Sequence, residues 1–293
     1  MLGRVGGVRE IPAGLPGAGE ITEARRLAGG YDHQVWLLTR SDGSQAVVKT
    51  SEQMRPGLFA AEAQALDAIR ATGAVATPRV FHAAHGHLVL EALRPAPADD
   101  NVFWERAGQA VAALHAVHGP GYGWPHDNWL GLLPQHNSWC QDGHEFFIRH
   151  RVLRFLPEPR LRAVLDAGAR GAIEKICARL RDLVPPMPPA LCHGDLWAGN
   201  VLATHQGQPA VIDPAVCYMW PEVDLSMMYC APQSPGRFFA AYHEIHPPHP
   251  GWQQRMRLLH LRELLSLLAI YGDRPSMSRQ VLPAIHDLIR GYG

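Results

Sequence analysis

The sequence predicts an α+β fold of two unequal lobes, a small β-rich one followed by a larger, mainly helical one. Three observations predict it. Short runs rich in β-branched and aromatic residues, separated by turn residues, fall within residues 1–92. Beyond residue 100 the apolar residues recur at the three- and four-residue spacing of helices packed on a core. One β-like island, Val201 to Asp213, interrupts those helices.

Met1 to Gly19 is rich in Gly and Pro. It lacks the apolar core of a signal peptide or spanning helix, so it reads as a flexible lead-in. His33 to Thr39 and Gln45 to Thr50 read as strands joined by the turn Ser41-Asp42-Gly43-Ser44. A helix is expected from Pro56 to Arg70, then a short strand pair, Arg79 to His82 and His87 to Glu91. Leu93-Arg94-Pro95-Ala96-Pro97 reads as the linker, so the lobes divide as 1–92 and 93–293. In the second lobe helices are expected over Trp104–His118, Glu145–Leu156, Arg160–Leu183, Trp252–Ile270 and Arg279–Tyr292. The island reads as a hairpin, Val201–Ala203 and Pro209–Asp213 around Thr204–Gln208.

Composition narrows the function. Apolar residues make up 47% and charged ones 18%, ordinary for a soluble domain. Lys plus Arg equals Asp plus Glu, 27 against 27, so no basic field exists for nucleic acid or a membrane surface. Cys140, Cys177, Cys192, Cys217 and Cys230 are scattered and odd in number, which fits reduced thiols in the cytoplasm.

The chemistry concentrates in His193-Gly194-Asp195-Leu196-Trp197-Ala198-Gly199-Asn200 and Asp213. A hairpin closed over 204–208 pairs residues whose numbers sum to about 413. Asn200 and Asp213 then meet at its open end, with Asp195 on the loop feeding that end. Phosphoryl transfer needs such a convergence, because its demands on a protein are positional and electrostatic. Asp213 and Asn200 offer hard oxygen donors for Mg²⁺, and Asp195 is placed to accept a hydroxyl proton. Turn-forming Asp and Asn alone would not explain the whole string.

Lys49 shares a strand face with Gln45 and Val47. Glu62 falls on the apolar stripe Phe59, Leu66, Ile69 of the next helix, where a carboxylate is costly unless paired. Lys49 is its natural partner, and such a pair holds a lysine against the α- and β-phosphates of ATP. Gly29-Gly30 lets backbone N–H groups approach phosphates. Glu91 and Leu93 open the linker, where backbone would meet adenine. His82, His85, His87, His246 and His249 have no acidic or cysteine partner at ligand spacing and read as loop histidines.

The string His193-Gly194-Asp195-Leu196-Trp197-x-Gly199-Asn200 with Asp213-Pro214-Ala215 resembles the fructosamine kinase signature. Ala113-Leu114-His115, Gly121-Tyr122-Gly123, Asp127-Asn128, Pro134-Gln135, Asn137, Trp139, Arg151 and Glu222-x-Asp224-Leu225 extend the resemblance. It covers roughly residues 27 to 293. It implies a bilobal protein-kinase-like fold, ATP and Mg²⁺, and transfer to the 3-hydroxyl of a ketoamine such as a fructosamine or ribulosamine. The acceptor would be a small molecule or a protein-bound adduct, and phosphorylation would destabilise it, a deglycation activity. By carry-over Asp195 is the base, Asn200 and Asp213 bind metal, and Lys49 and Glu62 place phosphates. Trp197 lines the acceptor pocket, while His193 and Asp224 support the loop. A monomer or weak homodimer is expected.

Two stretches depart from the family pattern. Gly30-Tyr31-Asp32-His33 is bulkier than usual, and Trp220-Pro221 replaces a Gly and Arg before Glu222. Both bear on the acceptor. Two alternatives remain: a phosphotransferase of the aminoglycoside or choline kinase type, and a non-catalytic nucleotide-binding pseudokinase. The second expects loss of Lys49, Asp195 or Asp213, and all three are present.

Overall fold

A computed structural model describes residues 20–27, 34–51, 55–232 and 234–292. The expected lead-in Met1 to Gly19 lies outside them. The first lobe is an antiparallel sheet of β1 (Ile21–Arg26), β2 (Gln34–Arg40), β3 (Gln45–Thr50), β4 (Val80–Ala83) and β5 (His87–Glu91), in the order β1-β2-β3-β5-β4. β1 escapes a sequence reading for a physical reason. It is an edge strand whose only buried residue is Ala24, so it carries no apolar alternation.

Helix α1 (Leu58–Ala71) follows β3 and covers one sheet face. Alternation along the strands sorts the side chains. Trp36, Leu38, Ala46, Val48 and Val89 pack on the far face, while Leu88 and Leu90 meet Leu58, Phe59 and Leu66 of α1. Lys49, one residue from Val48, therefore faces α1.

The chain leaves the sheet through Ala92-Leu93. It enters β6 (Arg94–Pro95), which pairs with β10 (Val201–Ala203); β10 in turn pairs with β11 (Pro209–Val211). That hairpin aligns Val201 with Val211 and Ala203 with Pro209, within one residue of the expected register. α2 (Asn101–His115) starts earlier than apolar spacing suggests, because Asp100 caps it through the N–H groups of Val102 and Phe103. β7 (Asn128–Leu130) and β8 (Leu133–Gln135) form a small hairpin.

Three expected helices are divided. Glu145–Leu156 is α3 (Gly143–Phe147), a π turn over Ile148–Val152 and a 3₁₀ turn over Leu153–Phe155. The wide turn buries Arg151, which donates to His136 O at 2.9 Å and to Asn137 Oδ1 at 2.5 Å. Arg160–Leu183 is α4 (Pro159–Val164), α5 (Ala167–Ala178) and α6 (Leu180–Leu183), broken where Asp166 leaves the helix to cap α5. Two three-residue strands, β9 (Ala190–Cys192) and β12 (Cys217–Met219), pair beside α7 (Pro221–Cys230) and α8 (Gly236–Ile245). Trp252–Ile270 divides at His260 into α9 (Trp252–Leu259) and α10 (Leu261–Tyr271), and α11 (Pro275–Tyr292) closes the chain.

The lobes are stitched at the base of α1. Ala65 and Ile69 join a core with Leu196, Val201, Val211 and Leu225. The Val211 N–H donates to Ala76 O at 2.9 Å. Trp129 of β7 packs on the Leu58–Phe59 end of the helix. No helix among the described residues is long and apolar enough to cross a membrane.

Candidate active site

The loop after β9 is held from behind. Gly194 has φ 84°, and a Cβ there would lie 2.0 Å from Ala215 O, so only glycine fits. His193 is fully buried and bridges the two halves of the site. Its Nε2–H donates to Ile212 O at 2.9 Å, and its Nδ1 accepts from the Asp195 N–H at 3.2 Å. Burial holds its pKa below the ordinary histidine value, against the pull of Asp224.

Asp224, in the first turn of α7, accepts from the N–H groups of His193 at 2.5 Å and Gly194 at 2.8 Å. His115 Nε2–H adds a third bond at 3.3 Å, and His115 Nδ1 is hydrogen-bonded to the Tyr242 hydroxyl at 2.9 Å. Burial alone would raise the Asp224 pKa. The His115 bond and charge and the backbone donors outweigh it, so the carboxyl lies below its usual range. The ligand atoms of His115, Cys192 and Asp224 lie within 4.8 Å of one another, but Asp224 is already engaged in holding the loop.

In front of this support stand the reactive groups. The Asn200 side-chain N–H₂ donates to Asp195 O at 2.8 Å and Asp195 Oδ2 at 2.9 Å, leaving its amide oxygen for a cation. Burial, reinforced by the nearby Glu263 charge and opposed by Arg262, pushes the Asp195 pKa up to about 8. Trp197 is 41% exposed, and its ring lies across Gly199, where a Cβ would sit 2.2 Å from it. The Trp-x-Gly spacing is thus a packing requirement.

Among the described residues Asp213 is the one non-glycine with a left-handed backbone, φ 58°. That turn aims its carboxylate at Lys49, which it binds directly. Lys49 also reaches Glu62 Oε1 at 2.5 Å. Burial would depress the lysine pKa, but Asp213 and Glu62 outweigh it and hold the ammonium above its ordinary value.

Lys49, Glu62, Glu91, Leu93, Asp195, Trp197, Asn200 and Asp213 all line one cavity of about 2060 Å³. This exceeds the roughly 300–1,000 Å³ of a single small-ligand pocket, and leaves room for a nucleotide and an acceptor together. His193 and Asp224 sit behind its wall. Gly29 and Gly30 lie outside the described residues. Sequence reasoning missed Glu263 on α10, which lines the same cavity as Asp195, and Arg262 buried beside it. Their one visible signal is two adjacent charges within an otherwise apolar helix.

The model of the family described as fructosamine kinase matches residues 10–289. The chain belongs to the fructosamine kinase family. It is 37% identical, over 86% of each chain, to a protein of Synechocystis named as a probable ketoamine kinase. It is 30% identical to the chloroplastic protein-ribulosamine 3-kinase of Oryza sativa, over 87% of this chain and 76% of that one. A Thermobifida fusca protein described as a fructosamine-3-kinase superposes with a TM-score of 0.80 at 29% identity, covering 92% of this chain and 94% of that one.

Membership makes this chain a kinase-like phosphotransferase that uses ATP and a hydroxyl acceptor. Where the family resemblance placed an arginine just before Glu222, this chain has Trp220-Pro221. Its Glu222 is met instead by Arg255 of α9 in a two-pronged buried pair, at 2.7 and 2.6 Å.

Proposed function

We propose that the protein transfers the γ-phosphoryl group of ATP to the 3-hydroxyl of a ketoamine, free or carried on a protein lysine. Residues 1–92 serve as the nucleotide lobe and 93–293 as the acceptor lobe. The observation that carries this reading is the Asp195 carboxyl, tied to Asn200 in the same cavity as the Lys49–Asp213 pair.

Lys49, oriented by Glu62, holds the α- and β-phosphates, exchanging its contact with Asp213 for them when nucleotide enters. Adenine lies against Glu91 and Leu93, and Gly29-Gly30 offers backbone N–H groups to the phosphates. Asp213 and the Asn200 amide oxygen would hold Mg²⁺. One carboxylate and one neutral oxygen fit that hard cation, which keeps several waters and takes few protein ligands. Held there, the ion would supply charge neutralisation at the phosphates. Asp195 accepts the hydroxyl proton and aims the oxygen in line. His193 and Asp224 keep the loop in register without touching substrate. Trp197 offers its exposed ring to the sugar. The protein works in the cytoplasm, where ATP is plentiful, as a monomer or weak homodimer.

The test is Mg²⁺-dependent ATP consumption with ribulosamine- and fructosamine-lysine, beside an aminoglycoside panel. Turnover on ketoamines is expected, and Asp195→Asn should lower kcat by about 10²–10⁴-fold while nucleotide still binds. Turnover confined to aminoglycosides would move the acceptor to that class. No turnover on any acceptor, with ATP bound, would leave a binding module.

A further inference from the structure

We propose that Glu263 is the counter-ion for the acceptor's amine, binding the protonated nitrogen of the ketoamine while its 3-hydroxyl faces Asp195. This rests on the ketoamine reading above.

Glu263 belongs to α10, in the acceptor lobe, and lines the same cavity as Asp195 and Trp197. Its side chain is only 13% exposed, and its helix is otherwise built of buried leucines, Ile270 and Tyr271 around the single cation Arg262. A carboxylate so placed is costly unless it meets a cation. Arg262 answers poorly. Its Nη1 lies 3.5 Å from Glu263 Oε2, and the same guanidinium donates to Gln135 Oε1 at 3.0 Å and contacts Met227 Sδ at 3.5 Å. The Ser266 hydroxyl donates to the Glu263 backbone carbonyl at 2.8 Å.

The acceptor's chemistry supplies the missing cation. In a ketoamine the nitrogen is on C1, the carbonyl is C2 and the reacting hydroxyl is on C3. Four bonds separate nitrogen from that oxygen, a span of about 3–5 Å with ordinary bond lengths. An acceptor whose 3-hydroxyl meets Asp195 therefore carries its charge into the same cavity, which Glu263 also lines. A secondary alkylamine takes a proton at neutral pH. Glu263 is a lining carboxylate of that cavity, and the exposed Trp197 ring adds a face that also favours cations.

The experiment compares wild type, Glu263→Gln and Glu263→Asp on two acceptors. One is ribulosamine-lysine; the other is its N-acyl analogue, whose amide nitrogen takes no proton, read as substrate or as competitor. Glu263→Gln should lower kcat/KM for the amine by about 10- to 100-fold, the range for losing a charge-assisted hydrogen bond. The N-acyl compound and the KM for ATP should be unmoved, and Glu263→Asp should restore part of the loss. An equal loss on both acceptors, or none on the amine, overturns the assignment. A wild type inert towards both overturns the ketoamine reading itself, and this role with it, before any variant is read.

Discussion

At position 199 a methyl group would have to displace the Trp197 ring, which lies 2.2 Å from where it would sit. Gly199→Ala should therefore raise the KM for the acceptor several-fold, shift tryptophan fluorescence, and leave the KM for ATP unchanged. Asp195 gives a second prediction at this scale. Its carboxyl titrates near 4 when unfolded, and burial with Glu263 nearby pushes it up to about 8 when folded. The folded chain binds the extra proton across that window, so stability falls as pH rises from about 4 to about 8. Asp195→Asn cannot ionise. Without nucleotide or metal it should unfold at a higher temperature than wild type at pH 9, and the gap should close near pH 4. Scanning calorimetry at the two pH values checks this. Asp195, Asn200, Asp213, Lys49 and Glu62 were all legible in the sequence, because their spacing forces them together. Glu263 was not. Its role depends on which way a helix distant in sequence turns its face, and one residue's rotation would hide it.

Helix α7 shows what spacing does not reveal about elements. Its first turn presents Asp224 to two buried backbone N–H groups and Glu222 to Arg255. A carboxylate is favoured at a helix start, where the peptide dipoles converge. Asp224→Ala would strand both N–H donors. It should cost roughly 2–5 kcal/mol of stability, read as a lower denaturant midpoint with an unchanged slope. Arg255→Ala leaves Glu222 buried and unpaired, and should cost about 3–5 kcal/mol. Elements with strong alternation or amphipathic spacing were readable, such as β2, β3 and α1, and the short strands β10 and β11 were readable through the turn between them. β1 lacked apolar alternation, and β7, β8, β9 and β12 are three residues each, too short for any period to register. The breaks at Asp166 and His260 were hidden by apolar spacing that continues across them.

For the whole molecule, the cavity between sheet and helices is where ligand binding should be felt. A non-hydrolysable ATP analogue with Mg²⁺ at about 100 times its Kd should add about 2.7 kcal/mol to stability. Lys49→Met should abolish most of that gain, as followed by thermal shift. The two-lobed plan followed from composition and periodicity. How the lobes are joined did not, because Ala76, Ala210, Trp129 and Ile69 carry no polar signal.

That join bears on the lysine's ion pair. α1 is gripped at its Ala65–Ile69 side by the core around the 193–200 loop, and at its other end by Trp129. Glu62 rides between these two holds and grasps Lys49. The ion pair that sets the lysine is thus carried on the joint itself, so packing lost at Ile69 or Trp129 would be felt at Lys49.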